Sequence, residues 1–143
     1  MRLTRAGEYA IRCVLYLTQH RDRPIIARKE IAEVMEIPAQ FLGKVAQQLA
    51  RAGIIAIRQG AHGGYELVRR PEELTLLDVV EAIDGEIFLN DCIHRPESCD
   101  RQGFCSVHLV WDRARRQLRE TLAGTTLAQL AEEEARGCAK RSP

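Results

Sequence analysis

The chain has 143 residues, of which 45% are hydrophobic and 29% charged, and its formal net charge is +1. That length buries a core without covalent staples, and the composition is neither disordered nor membrane-like. No apolar run approaches the ~20 residues that span a bilayer, and the charged, amphipathic start lacks a signal-peptide pattern, so a cytoplasmic protein is expected.

The charge is unevenly spread. Residues 1–70 carry twelve Lys or Arg against six Asp or Glu, the electrostatic footprint of a module that meets phosphates. The spacing of Ala6, Tyr9, Ala10, Cys13, Val14 and Leu17 predicts a helix over 4–20 with Thr4 as its cap and Cys13 on its buried stripe. A second, short helix over 28–35 follows. A third over 38–52 opens on Pro38 at its first position and stops at Gly53. Its predicted buried stripe is Phe41, Leu42, Val45, Leu49 and Ala52, which leaves Ala39, Gln40, Gly43, Lys44, Gln47, Gln48 and Arg51 outside. Two short helices joined by a tight turn form a helix-turn-helix, whose second helix enters the major groove.

What comes next separates this pair from any other two helices. Residues 54–58 are β-branched and strand-like, 59–64 hold three glycines, and 65–68 return as a second strand. A hairpin directly after a helix-turn-helix is a wing, and its glycines let the backbone approach a phosphate or a minor groove. The candidate DNA-contacting residues are Arg28, Ala39, Gln40, Lys44 and Gln47 from the helices, with Arg58, Gln59, His62 and Gly63 from the wing. Glutamine in the groove-facing set pairs bidentately with adenine.

Thr75 and Asp78 predict a capping box for a helix to about Ile83. Residues 86–104 read as an irregular loop. A long helix over 105–122 carries an apolar face of Val107, Val110, Trp111, Ala114, Leu118, Thr121 and Leu122, with Arg113, Arg115, Arg116, Arg119 and Glu120 on the wet one. The apolar face suits dimerisation. A short helix near Thr126 and a disordered tail from Arg136 to Pro143 close the chain. The expected organisation is a winged helix over 1–84, a cysteine loop over 85–104, a dimerisation unit over 105–135 and the tail over 136–143. The fold class is mainly α with a small β-hairpin wing.

Five cysteines in a reducing compartment do not make a disulfide framework. Three of them fall in the pattern Cys92-x6-Cys99-x5-Cys105-x2-His108, inside a loop too polar to be core. Three thiolates and an imidazole suit an iron–sulfur cluster, [2Fe–2S] or [4Fe–4S], and they equally suit a closed tetrahedral zinc site. The wide gaps favour the cluster. Cys138, in the expected tail, is a poor ligand candidate.

Met1-Arg2-Leu3-Thr4, Gly7-x-Tyr9-Ala10, the wing Gly60-x-x-Gly63-Gly64-Tyr65, the set Leu77, Val80, Ala82 and Ile83, the three-cysteine loop and His108-x-x-Trp111 together resemble the Rrf2 family of winged-helix regulators. The resemblance runs nearly the whole length and implies a homodimer built on the long helix, bound to duplex DNA at a palindromic operator. Members with the three cysteines hold an iron–sulfur cluster that changes DNA affinity, which assigns Cys92, Cys99 and Cys105 as thiolate ligands. The resemblance offers two fourth ligands. His108 stands where IscR-like members use histidine, and Glu8 stands where NsrR-like members reach across from the partner subunit. His108 is preferred, because Glu8 is also an ordinary first-turn acid. Two positions depart from the pattern: Gln59 replaces the arginine before the first wing glycine, and Gly43 replaces an acidic residue of the recognition helix. No nucleophile–base pair or nucleotide loop points to an enzyme. The competing readings are a zinc-stabilised regulator and a small iron–sulfur electron carrier, which has no use for a wing.

Overall fold

The computed structural model describes residues 2–141. In chain order it forms α1 (Arg5–Gln19), α2 (Arg28–Val34), α3 (Ala39–Arg51), β1 (Ile55–Arg58), β2 (Gly64–Leu67), α4 (Leu76–Asp84), α5 (Asp91–His94), α6 (Ser106–Ala123) and α7 (Leu127–Arg141). The fold class is the expected one, a helical protein with a two-stranded wing.

Thr4 caps α1 by accepting from the Gly7 N–H at 3.0 Å, and the helix buries Ala10, Cys13, Val14 and Leu17. Cys13 is fully buried, and desolvation pushes its thiol up to about 12, so it is an inert core residue. The turn between α2 and α3 places Glu36 at φ 54°, a left-handed conformation that a non-glycine residue adopts at a cost. The Arg12 guanidinium donates to the carbonyls of Met35 and Glu36 at 3.3 and 3.5 Å and so holds this turn against α1.

In α3 the buried face is Leu42, Val45, Ala46 and Leu49. Phe41 and Ala52, expected on that face, are exposed; Phe41 is 51% accessible and leans on Tyr9 with ring centroids 6.1 Å apart. The reason is helical phase: position 41 lies one residue, about 100°, from the centre of the stripe. Pro38 is the N-cap and not the first helical residue, with an extended ψ of 131°.

The wing strands pair antiparallel from Ile55↔Leu67 to Arg58↔Gly64. Ile26 adds a rung on the other edge of β2, exchanging backbone hydrogen bonds with Tyr65 at 3.0 and 2.9 Å. Gly64 is required there, because a Cβ would collide with the Ile26 carbonyl. The expected capping box of α4 forms, with reciprocal hydrogen bonds between Thr75 and Asp78 at 3.0 and 3.1 Å.

The terminal helix returns to the winged helix and packs against α1. Leu127 is fully buried, its N–H donates to the Leu74 carbonyl at 2.9 Å, and Gln19 of α1 donates to Glu134 of α7 at 2.6 Å. Anchored this way, α7 continues to Arg141, so the expected disordered tail is helical over 136–141. Its last two residues, Ser142 and Pro143, lie outside the described residues.

On α6, which packs beside α4, the less exposed positions are His108, Asp112, Ala114, Arg115, Leu118, Arg119 and Leu122, so charged and apolar residues share the half-buried side. Arg115 and Arg119, expected on the wet face, turn inward. Arg115 pairs with Glu86 at 3.0 Å, and Arg119 pairs with Glu81 of α4. The first two turns of the apolar face are left open, with Val107 50% and Val110 55% accessible.

Candidate nucleic-acid interface and cysteine loop

The face of α3 opposite Leu42, Val45 and Leu49 presents Ala39, Gln40, Lys44 and Gln47, all exposed. Between α3 and the wing lies a cleft of about 360 Å³ lined by Arg28, Gly43, Gln47, Arg58, Gln59 and Gly63, among others. Five of the nine expected DNA-contacting residues therefore meet in one cleft: Arg28, Gln47, Arg58, Gln59 and Gly63. Ala39 lines a neighbouring cleft with Arg28, and His62 is exposed at the wing tip. Gly43 leaves room here, since a Cβ would meet only the Arg28 guanidinium, at 3.7 Å. Beneath the cleft, burial raises the Tyr65 hydroxyl above its ordinary range, and the nearby Arg28 works against that rise.

Two partners of these residues escape sequence reading. Arg58 donates from Nε to Glu66 Oε2 at 2.8 Å across the hairpin. Glu30, in the first turn of α2, accepts from Tyr16 at 2.7 Å and from both ends of the Arg23 guanidinium at 2.7 and 2.9 Å. These bonds, Arg23 first, pull the Glu30 carboxyl down to about 2 and tie the start of the helix-turn-helix to the end of α1. Period-two register would have found Glu66 opposite Ala56, two positions from Arg58 on the same face.

The cysteine loop is a series of single turns. Cys92 lies in α5, Cys99 follows a short turn at Pro96–Ser98, Cys105 caps α6, and His108 stands in the first turn of α6. The three thiols are free and half-buried. Among the described residues, no three His, Cys, Asp or Glu side chains are grouped as a metal-ligand set, so the four expected ligands share a loop without converging. Glu8 is occupied by Arg5 at 3.1 Å on its own helix. Two features nonetheless fit a soft metal centre. Three unpaired thiols and an imidazole are the donors such a centre takes, and His108 Nδ1 is buried with no hydrogen-bond partner. The start of the loop is fastened: Glu81 accepts from the Ile87 N–H at 3.2 Å, and the Asn90 amide, with its oxygen turned toward α6, accepts from Trp111 Nε1 at 3.0 Å. His94, exposed at the end of α5, stacks on Phe88 with centroids 4.6 Å apart.

No helix among the described residues is long and apolar enough to cross a membrane.

Comparison with known proteins agrees with this arrangement. Residues 3–133 match the family model Rrf2, described as an iron-dependent transcriptional regulator. The Rrf2 protein of Nitratidesulfovibrio vulgaris is 31% identical over 130 residues, covering 91% of this chain and 87% of its own. The HTH-type transcriptional regulator IscR of Aliivibrio salmonicida is 28% identical over 91% of this chain and 77% of its own. Among solved structures, CymR of B. subtilis, the global cysteine regulator, superposes with a TM-score of 0.76 at 25% identity, covering 93% of this chain and 98% of that one. IscR of T. potens shares the fold, with a TM-score of 0.75 at 23% identity over 94% of this chain and 88% of that one. A winged helix with an open recognition face and a family match over almost every residue lead to one conclusion: the chain belongs to the Rrf2 family, and it is a DNA-binding transcriptional regulator, not an enzyme.

Proposed function

We propose that the chain acts in the cytoplasm as a homodimer that reads a palindromic operator and adjusts its DNA affinity through an iron–sulfur cluster held by Cys92, Cys99 and Cys105, with His108 as the fourth ligand. The observation that carries the reading is His108 Nδ1. It is a buried nitrogen without a partner, three residues beyond a free half-buried thiol, and a buried polar atom left unpaired costs about 1–3 kcal/mol unless something binds it. A bound cluster would supply one-electron and ligand-exchange chemistry sensitive to redox state or nitric oxide.

The chain's own residues do the rest. Gln40, Lys44 and Gln47 enter the major groove, and Arg28 with the wing residues Arg58, Gln59, His62 and Gly63 takes the flanking phosphates and minor groove. Val107, Val110 and Trp111 pack against the same stripe of a second copy, because an exposed apolar helix face is buried in a regulator that must span two half-sites ~34 Å apart. Ordering of the loop over 92–108 is passed to α4 through the Arg119–Glu81 and Arg115–Glu86 pairs at its base, and so to the recognition helices. A coupling of about 1–3 kcal/mol changes DNA affinity roughly 5–150-fold.

Iron, acid-labile sulfide and zinc per chain, measured on protein purified without oxygen, test this. The expected result is iron and sulfide in equal amounts, both lost in Cys99→Ser with the thermal melt of the metal-free chain unchanged. Zinc near one per chain without sulfide makes the loop a structural site and ends the sensing reading, while DNA binding stands.

A further inference from the structure

The wing carries its own restraint on DNA binding. Arg58 ends β1, and side-chain alternation puts it on the same face of the hairpin as Ala56, whose cross-strand partner is Glu66. The Arg58 guanidinium meets Glu66 Oε2 from two nitrogens, Nε at 2.8 Å and Nη2 at 2.7 Å. Arg58 lines the cleft between α3 and the wing while Glu66 lines a separate cleft with Arg23, Pro24 and Arg69, so the pair ties the guanidinium to a carboxylate outside the recognition cleft. Both side chains keep solvent access, 56% for Arg58 and 33% for Glu66, so the pair breaks at little cost when a stronger acceptor arrives. Glu66 is also the one acidic residue between β1 and the end of β2, where it cancels the wing's only arginine.

We propose that Glu66 is a specificity-determining residue for DNA binding. It sequesters Arg58 in the free protein and makes the wing's phosphate contact conditional on exchanging a carboxylate for a DNA phosphate. The proposal rests on the reading of Arg58 as a wing contact and adds what controls it. A guanidinium already paired adds little to sequence-independent attraction, so binding depends more on the recognition helix and the ratio of specific to non-specific affinity rises.

The test uses the full chain and a mixed-sequence 40-base-pair duplex, with affinity read by fluorescence anisotropy between 50 and 200 mM KCl. Glu66→Gln keeps the hydrogen-bonding shape and removes the charge. The expected result is about 3–10-fold tighter binding than the unaltered chain, with the slope of log affinity against log salt steeper by about 0.9, one added phosphate contact. Arg58→Ala separates this from general loss of negative charge. In that background Glu66→Gln should change affinity by less than about 2-fold and leave the slope alone. Equal tightening in both backgrounds, or none in either, overturns the proposal. The wing reading is judged separately by Gln59→Ala with His62→Ala: if that double variant binds the duplex like the unaltered chain, the wing does not touch DNA. Thermal melts of every variant confirm that the hairpin is folded.

Discussion

The winged helix and the α5–α6 arm are built to different degrees of completion. The winged helix fully buries Val14, Leu42, Leu49, Ile54 and Leu74 around α1, and it caps α1 and α4 with side chains. By contrast, α6 runs 18 residues without burying one, and the cysteine loop that feeds it makes only single turns. A helix of that length is held by packing more than by propensity, so α6 leaning on α4 through ion pairs has its apolar stripe still to be covered. The contrast divides the labour. The half that reads DNA is finished within one chain, and the half proposed to sense would be finished by the proposed second copy and metal centre.

Substitutions should therefore fall into two kinds. The largest effect on stability belongs to the finished half: Leu49→Ala, in a fully buried site, should cost about 3 kcal/mol in urea unfolding and weaken DNA binding only by depopulating the fold. Val110→Glu, on the open face of α6, should leave the winged helix folded yet convert dimer to monomer in sedimentation velocity. Its affinity for a two-site operator should fall at least roughly 100-fold as one half-site is lost. If Val110→Glu lowers the melt as much as Leu49→Ala does, α6 is part of the core and the division fails. A smaller change, Thr75→Ala, removes one arm of the α4 capping box and should cost about 1 kcal/mol by the same unfolding measurement.

The least of these effects is one of pH. Arg23 and Tyr16 hold the Glu30 carboxyl at about 2, below its ordinary 4.5. A carboxyl lowered in the folded state stabilises it fully above the unfolded value, and that stability is lost as pH falls through the folded one. The contribution should therefore be complete above pH 4.5 and disappear toward pH 2. Melts of Glu30→Gln should approach those of the parent over that window, and a constant gap would remove Glu30 from the acid response.

Much of the molecule was legible in its sequence because local chemistry decided it. Thr4 and Thr75 capped where Ser or Thr precedes an apolar run, since an orphan N–H takes the nearest side-chain oxygen. The wing followed from β-branched segments flanking three glycines, and its closest contact, Gly64 against Ile26, admits no other residue. The family resemblance was visible for the same reason. The cysteine spacing and wing glycines are linear motifs, and both fall within the residues 3–133 that match the family.

What the sequence left undecided depends on neighbours far away along the chain. Hydrophobic periodicity marks a stripe on α6 but does not say whether the chain itself covers it. Arg115 and Arg119 turned inward because Glu86 and Glu81 lie across from them, a pairing set by the angle between α4 and α6. The stretch 136–141 is helical because Leu127 anchors α7 in the core beside Leu74, so order came from docking more than from composition. Glu66 on Arg58 and Glu30 on Tyr16 and Arg23 are likewise bonds between separate elements. Composition, caps and motif spacing act within a few residues, and they determined the elements, the wing and the family. Which charges meet, which face stays bare and which nitrogen lacks a partner were set only when those elements packed, because each is a distance between residues that the chain's linear order does not contain.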